Sequence, residues 1–84
     1  MNDLQNEANE AQQIKARWES GTRYYIAILH QDLLGDWIVT TAHGGKKSRL
    51  GGLRIKYVET EEKGLKELAS IHKTRIRHGY ERVL

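Results

Sequence analysis

Cysteine and proline are both absent from the 84 residues. Without cysteine there is no disulfide and no zinc-thiolate site, and the composition fits a reducing cytoplasm. Without proline nothing in the chain forces a kink or a slow peptide isomerisation. Long apolar runs are missing too. The longest is YYIAIL, Tyr24 to Leu29, against roughly 20 residues for a membrane-spanning helix. The first residues are acidic and polar rather than basic and then apolar, which is not the pattern of a secretory signal. There is no internal repeat and no low-complexity linker, and a chain of this length has material for one core, not two. These absences lead to the expectation of a soluble cytoplasmic protein of one domain, with no membrane partner.

Charge is present but unevenly placed. From Met1 to His43 three cations (Lys15, Arg17, Arg23) stand against six carboxylates (Asp3, Glu7, Glu10, Glu19, Asp32, Asp36); from Gly44 onward eleven cations stand against five carboxylates. The excess gathers in one loop and at the end of one helix, where it can act as a single field on an acidic partner.

The hydrophobic pattern divides the chain into a leader and a domain. Residues 1–13 are rich in Asn, Gln and Glu, with Leu4, Ala8 and Ala11 at helical spacing, and read as a polar N-terminal helix or a disordered leader. The domain, 14–84, opens with IKARWES as a short strand, and SGT turns it into RYYIAILHQ (23–31), a strand by its β-branched and aromatic content and a central one by its apolar residues on both faces. DLLGD is a turn in which Gly35 is free to take positive φ, and DWIVTTAH (36–43) is the next strand. LRIKYVE (53–59) alternates Leu53, Ile55 and Tyr57 with Arg54, Lys56 and Val58, so one face is expected to be buried and the other wet. Trp18, Trp37, Tyr24, Tyr25 and Tyr57 read as core or sheet packing.

The period then changes to helical. Thr60 is the N-cap, Glu61 and Glu62 favour the positive end of the helix dipole, and Leu65, Leu68, Ala69, Ile71, His72 and Ile76 form an apolar stripe. Lys73, Arg75, Arg77 and His78 crowd the last turn, with Gly79 as the left-handed stop. Gly64 costs a helix about 1 kcal/mol relative to alanine, which is tolerable where something must approach closely. YERVL returns as a short edge strand. The expected class is α+β: an antiparallel sheet of about five strands with one long helix on one face.

No catalytic pattern stands out. GGKKS lacks the glycine before Lys-Ser that a phosphate-cradling P-loop requires, and a strand rather than a helix follows it. His30 and Asp32 are spaced to share a metal or a proton on a strand, but no third ligand or nucleophile accompanies them, and a hydrogen bond at a strand end is the plainer expectation. His72 reads as a partly buried, satisfied histidine. No cofactor or metal is expected, and no enzyme.

RYYIAILHQDLLGDWIVTTAHGG, then SRLGG, then GLKELASIHKTRIRHGY, resembles the WGR domain from about Trp18 to Val83, in the manner of its short bacterial members. The resemblance implies an antiparallel sheet wrapped by one helix, with a basic segment before a Gly-Tyr pair, here Gly79-Tyr80. His43-Gly44-Gly45 stands where the family has Trp-Gly-Arg. In poly(ADP-ribose) polymerases that carry the domain, that tryptophan and arginine face a DNA end. The resemblance therefore implies a non-enzymatic nucleic-acid-binding module, of DNA with low sequence specificity, with His43 as a smaller stacking surface.

The residues themselves give the loop the same role. Gly44 and Gly45 permit close approach or positive φ, Lys46, Lys47 and Arg49 supply charge, and Ser48 adds a phosphate donor. Lys73, Arg75, Arg77 and Arg82 would extend that surface if the helix end lies beside the loop. A protein-interaction adaptor or homodimer, formed through an exposed strand edge or the N-terminal helix, is the alternative.

Overall fold

The computed structural model describes residues 13–84, and the expected N-terminal helix or leader lies outside the described residues but for Gln13. Strands β1 (Ile14–Ser20), β2 (Arg23–Gln31), β3 (Trp37–Gly45) and β4 (Gly51–Val58) are followed by helix α1 (Glu61–Arg77) and the two-residue strand β5 (Glu81–Arg82). All pairings are antiparallel and the sheet order is β4-β3-β2-β1-β5. α1 packs on one face, which gives the α+β architecture expected from the sequence.

Local chemistry fixes the ends of these elements. In the β2–β3 turn Asp32 Oδ1 accepts hydrogen bonds from the backbone N–H of Leu34 and of Asp36, both at 2.9 Å, and Gly35 takes φ 86°, a left-handed value that costs glycine nothing. At the start of α1 the Thr60 hydroxyl accepts from Lys63 N–H at 3.1 Å, while Glu61 and Glu62 occupy the first turn and Arg75 and Arg77 the last, as the dipole favours. Gly79 ends the helix at φ 86°.

The core lies between α1 and the middle of the sheet. Ala16, Trp18, Ala27, Leu29 and Val39 are buried there, with Tyr25, Leu68, Ile71 and Tyr80 packed around the Ala16–Trp18–Ala27 cluster. Gly64 is the one buried residue of α1. A β-carbon at Gly64 would collide with Leu29 Cδ1 and lie 3.0 Å from Cδ2, so the missing side chain is what lets the helix backbone rest on β2.

Two expectations about burial are corrected. The helix meets the sheet along Gly64, Leu68, Ile71, His72 and Arg75, whereas Leu65, Ala69 and Ile76 of the expected stripe are exposed. Docking through Gly64 rotates the helix so that these three flank the contact. On β4 the apolar set is the wet one: Leu53, Ile55 and Tyr57 are 70%, 54% and 66% exposed. The β3–β4 register pairs Val39 with Lys56 and Thr41 with Arg54, which puts the two cations on the helix side, where Lys56 Nζ reaches Glu67 Oε2 at 3.0 Å. Period two says which residues share a face; it does not say which face receives the helix.

Candidate functional site

One register position runs across all five strands on the helix side of the sheet. Gly52 pairs with His43, His43 with Tyr25, Tyr25 with Trp18 and Trp18 with Arg82. Tyr25 and His43 lie nearly parallel, 13° apart with ring centroids at 6.2 Å, and Trp18 meets Tyr25 edge-on at 6.1 Å. Gly52 leaves room for the imidazole, since a β-carbon there would lie 2.6 Å from His43 Nε2. The last turn of α1 closes over this row. The Arg75 guanidinium carbon is 4.4 Å from the Tyr25 ring centre and 5.0 Å from that of Tyr80, so the cation is held between two aromatic faces. Arg75 Nε is buried and has no hydrogen-bond partner among the described residues.

Beside Arg75 two clefts adjoin at the same end of the sheet. One, of about 590 Å³, is lined by the β1–β2 turn (Ser20 to Arg23) together with Arg75, His78 and Tyr80. The other, of about 510 Å³, shares Thr22, Arg23 and Tyr80 with it and continues along His43, Gly44, Gly45, Ser48, Leu50 and Gly51. No carboxylate lines either cleft, while Arg23, Arg75, His43 and His78 do. Their walls are therefore cationic or neutral, with aromatic rings behind them, an arrangement suited to an anion joined to a flat ring.

The glycines of the β3–β4 hairpin have a steric role there. Neither Gly44 nor Gly45 takes positive φ, contrary to one use foreseen for them. A β-carbon on Gly44 would lie 3.0 Å from the Leu50 carbonyl and 3.1 Å from the Tyr24 hydroxyl. The hairpin can thus close on its own strand and on the Tyr24 ring.

The cations foreseen for the site separate into three groups. Arg75 joins His43, Gly44, Gly45 and Ser48 at the clefts, and Lys47 and Arg49 are exposed at the hairpin tip. The Ser48 hydroxyl oxygen accepts from Leu50 N–H at 3.0 Å, which leaves its proton to donate outward. Lys46 is committed elsewhere: its Nζ lies 2.7 Å from Glu19 Oε1, and Glu19 Oε2 also accepts from Arg17 Nε at 2.9 Å. The Lys46 ammonium, and after it the Arg17 guanidinium, hold the Glu19 carboxyl below its ordinary value. Lys73 and Arg77 are exposed and stand about half a turn around α1 from its sheet-facing line. Arg82 lies across the sheet in β5, its Nε donating to the Leu84 carbonyl at 3.0 Å and its guanidinium 5.9 Å from the Trp18 ring. These last three do not extend the surface made by the hairpin.

Arg23, Tyr25, His78 and Tyr80 belong to the site although the sequence did not single them out for it. The signal for Arg23 was available, since the first residue of β2 must lie opposite the end of β3, and it pairs with Gly45. The other histidines have structural roles. His30 Nε2 is 3.1 Å from Thr40 Oγ1 while Asp32 caps its own turn, so the two share nothing. Trp18 Nε1 donates to His72 Nδ1 at 3.0 Å, the satisfied role foreseen for His72. Among the described residues no group of three or more His, Asp or Glu side chains comes together, and no helix is long and apolar enough to cross a membrane.

Comparison with protein-family models, with curated proteins and with solved structures finds no match to this chain.

Proposed function

We propose that the protein is a small binding module for nucleic acid, holding the phosphate backbone in the two adjoining clefts and carrying out no chemistry of its own. The observation that carries this reading is the convergence of Arg23, Arg75, His43 and His78 on clefts without a carboxylate. Arg75, Arg23 and Ser48 supply phosphate contacts, with Lys47 and Arg49 adding long-range attraction from the hairpin tip. Tyr80 and His43 offer ring faces to a sugar or base, each worth up to roughly 1 to 3 kcal/mol for a stacked base, and less for imidazole. α1 lies across the sheet rather than projecting from it, and no base-reading helix is presented among the described residues, so the partner is read by backbone and shape. The WGR-like order of motifs in the sequence points toward DNA.

Affinity is expected on the order of 10⁻⁴ to 10⁻⁶ M at physiological salt, falling with a log-log slope near −0.9 per phosphate engaged. The test is a fluorescence titration of nicked, blunt and single-stranded DNA at two salt concentrations. It is repeated with Arg23→Ala, and with Lys46, Lys47 and Arg49 changed together to Ala. Loss of affinity and a shallower salt slope in both variants support the reading. Absence of binding at low salt, or binding indifferent to both changes, refutes it.

A further inference from the structure

The face of the sheet away from α1 is apolar and has nothing over it among the described residues. The register places Ile26 and Ile28 of β2, Ile38, Thr40 and Ala42 of β3, and Leu53, Ile55 and Tyr57 of β4 on that face. Ile38, paired with His30 and Tyr57 at one end of the face, is only 7% exposed, whereas the β4 residues stand more than half exposed. Those three residues alone present roughly 350 Å² of surface, already within the range of the largest apolar patch on a typical monomer, and β2 and β3 extend it. The β2, β3 and β4 residues of this face are uncharged in type apart from His30 at one end, and near the other end the Arg17 guanidinium of β1 lies 5.0 Å from the Tyr24 ring centre. Lys15, Arg17 and Glu19 share the face but lie on β1, to one side.

We propose that this face is where a second copy of the chain packs, sheet against sheet. An uncharged patch offers no charge pattern for a polyanion or an acidic peptide to read, and it is complementary to itself. A two-fold axis running along β3 lays β4 of one copy over β2 of the other and leaves the charged side chains of β1 at the rim, in solvent. Such an isologous contact is the commonest in homo-oligomers, and aligned sheets pack at about 10 Å by interdigitating side chains of this kind. Edge-to-edge pairing of β4 is the poorer arrangement. A two-fold axis centred on Ile55 sets Arg54 opposite Lys56 of the other copy, and like charges facing each other across a pair of strands repel. Two copies of the β4 side chains bring roughly 700 Å², and the contributions of β2 and β3 raise the total toward the 1,000 Å² or so of a weak specific interface. Association is expected to be weak, in a range that micromolar concentrations can test. The clefts around Arg75 open on the helix side, so both remain free in the dimer. The dimer stands on the apolar face alone, whether or not those clefts bind nucleic acid.

Sedimentation equilibrium of the full chain between 1 and 200 µM, at 0.1 M and 1 M NaCl, tests this directly. The expected result is a rise from the 9.7 kDa monomer to twice that mass, undiminished at high salt, with Ile55→Lys raising the dissociation constant at least tenfold. Tyr57→Ser, a milder change, should raise it severalfold if Ile55→Lys does not fold. Leu65→Lys, on the exposed flank of α1, should leave it unchanged. The proposal is overturned by a monomer throughout, by a dimer that dissolves in 1 M NaCl, or by a dimer indifferent to both β4 changes.

Discussion

Gly64→Ala sets two effects of opposite sign against each other, and the structure decides between them. Alanine is the better helix former by about 1 kcal/mol, so on propensity alone the variant would be more stable. The added methyl, however, has to occupy space already filled by Leu29, with Cδ2 at 3.0 Å and Cγ at 3.2 Å in addition to the collision with Cδ1. Leu29 is 0% exposed and has no open space to turn into. The neighbour that must yield is the branch of a core side chain rather than the end of a flexible one, and overpacking of this kind costs about 1–3 kcal/mol. The net expectation is a loss of about 1 kcal/mol, a fall in melting temperature of about 4–8 °C for a domain of this size. Gly64→Val adds two more methyl groups and β-branching and is expected to lose about 3 kcal/mol. Thermal unfolding followed by circular dichroism measures both, with Lys66→Ala on the exposed side of α1 as the propensity control. A higher melting temperature for Gly64→Ala would refute the close seat of the helix on β2.

Further expectations concern the site. Arg75→Met keeps the packed stem but removes the cation between Tyr25 and Tyr80; stability should fall by about 0.5–1 kcal/mol, and DNA affinity by about tenfold with a salt slope shallower by about 0.9. Glu19→Gln releases Lys46 and should tighten DNA binding slightly in the same titration. Because the folded protein lowers the Glu19 carboxyl, its pairing contributes stability above the ordinary carboxylate value and loses it as the pH falls through the lowered one. Acid unfolding of Glu19→Gln should therefore lack that part of the pH dependence, and an unchanged acid limb would remove the role given to the pair. Trp18→Phe leaves His72 Nδ1 without its donor inside the core and should cost about 1–3 kcal/mol beyond the lost ring area, read as a melting shift that a Trp37→Phe change at a partly buried site with no such hydrogen bond does not match.

Much of the fold was legible because local signals agreed with one another. β2 is bounded by Arg23 and Gln31 as its composition indicated, Gly35 and Gly79 take the left-handed values foreseen for them, and Thr60 caps α1. What escaped was the choice of faces. Leu53, Ile55 and Tyr57 share a face by period, but whether that face is covered depends on where a helix some residues later comes to rest. Its position is governed by Gly64 meeting Leu29, a contact no local pattern announces. The site was partly legible for the same reason. Antiparallel connections put the β1–β2 turn and the β3–β4 hairpin at one end of the sheet, which brings Arg23 beside Gly45. The capture of Lys46 by Glu19, twenty-seven positions away in the chain, and the seat of Arg75 between Tyr25 and Tyr80 are tertiary facts. The same holds for Arg77 and Arg82, near Arg75 in sequence yet set apart from the hairpin by the helical period and by the width of the sheet.

The central claim is that the end of the sheet formed by the β1–β2 turn, the β3–β4 hairpin and the last turn of α1 is a single surface for a polyanion. An amide-shift titration with a short 5′-phosphorylated duplex at low salt tests it residue by residue. The predicted result is a concerted, saturable movement of Thr22, Arg23, Gly44, Gly45, His78 and Tyr80 that returns toward the starting spectrum as salt is added. Shifts confined to Leu53–Tyr57, or no shift at millimolar duplex, would contradict it.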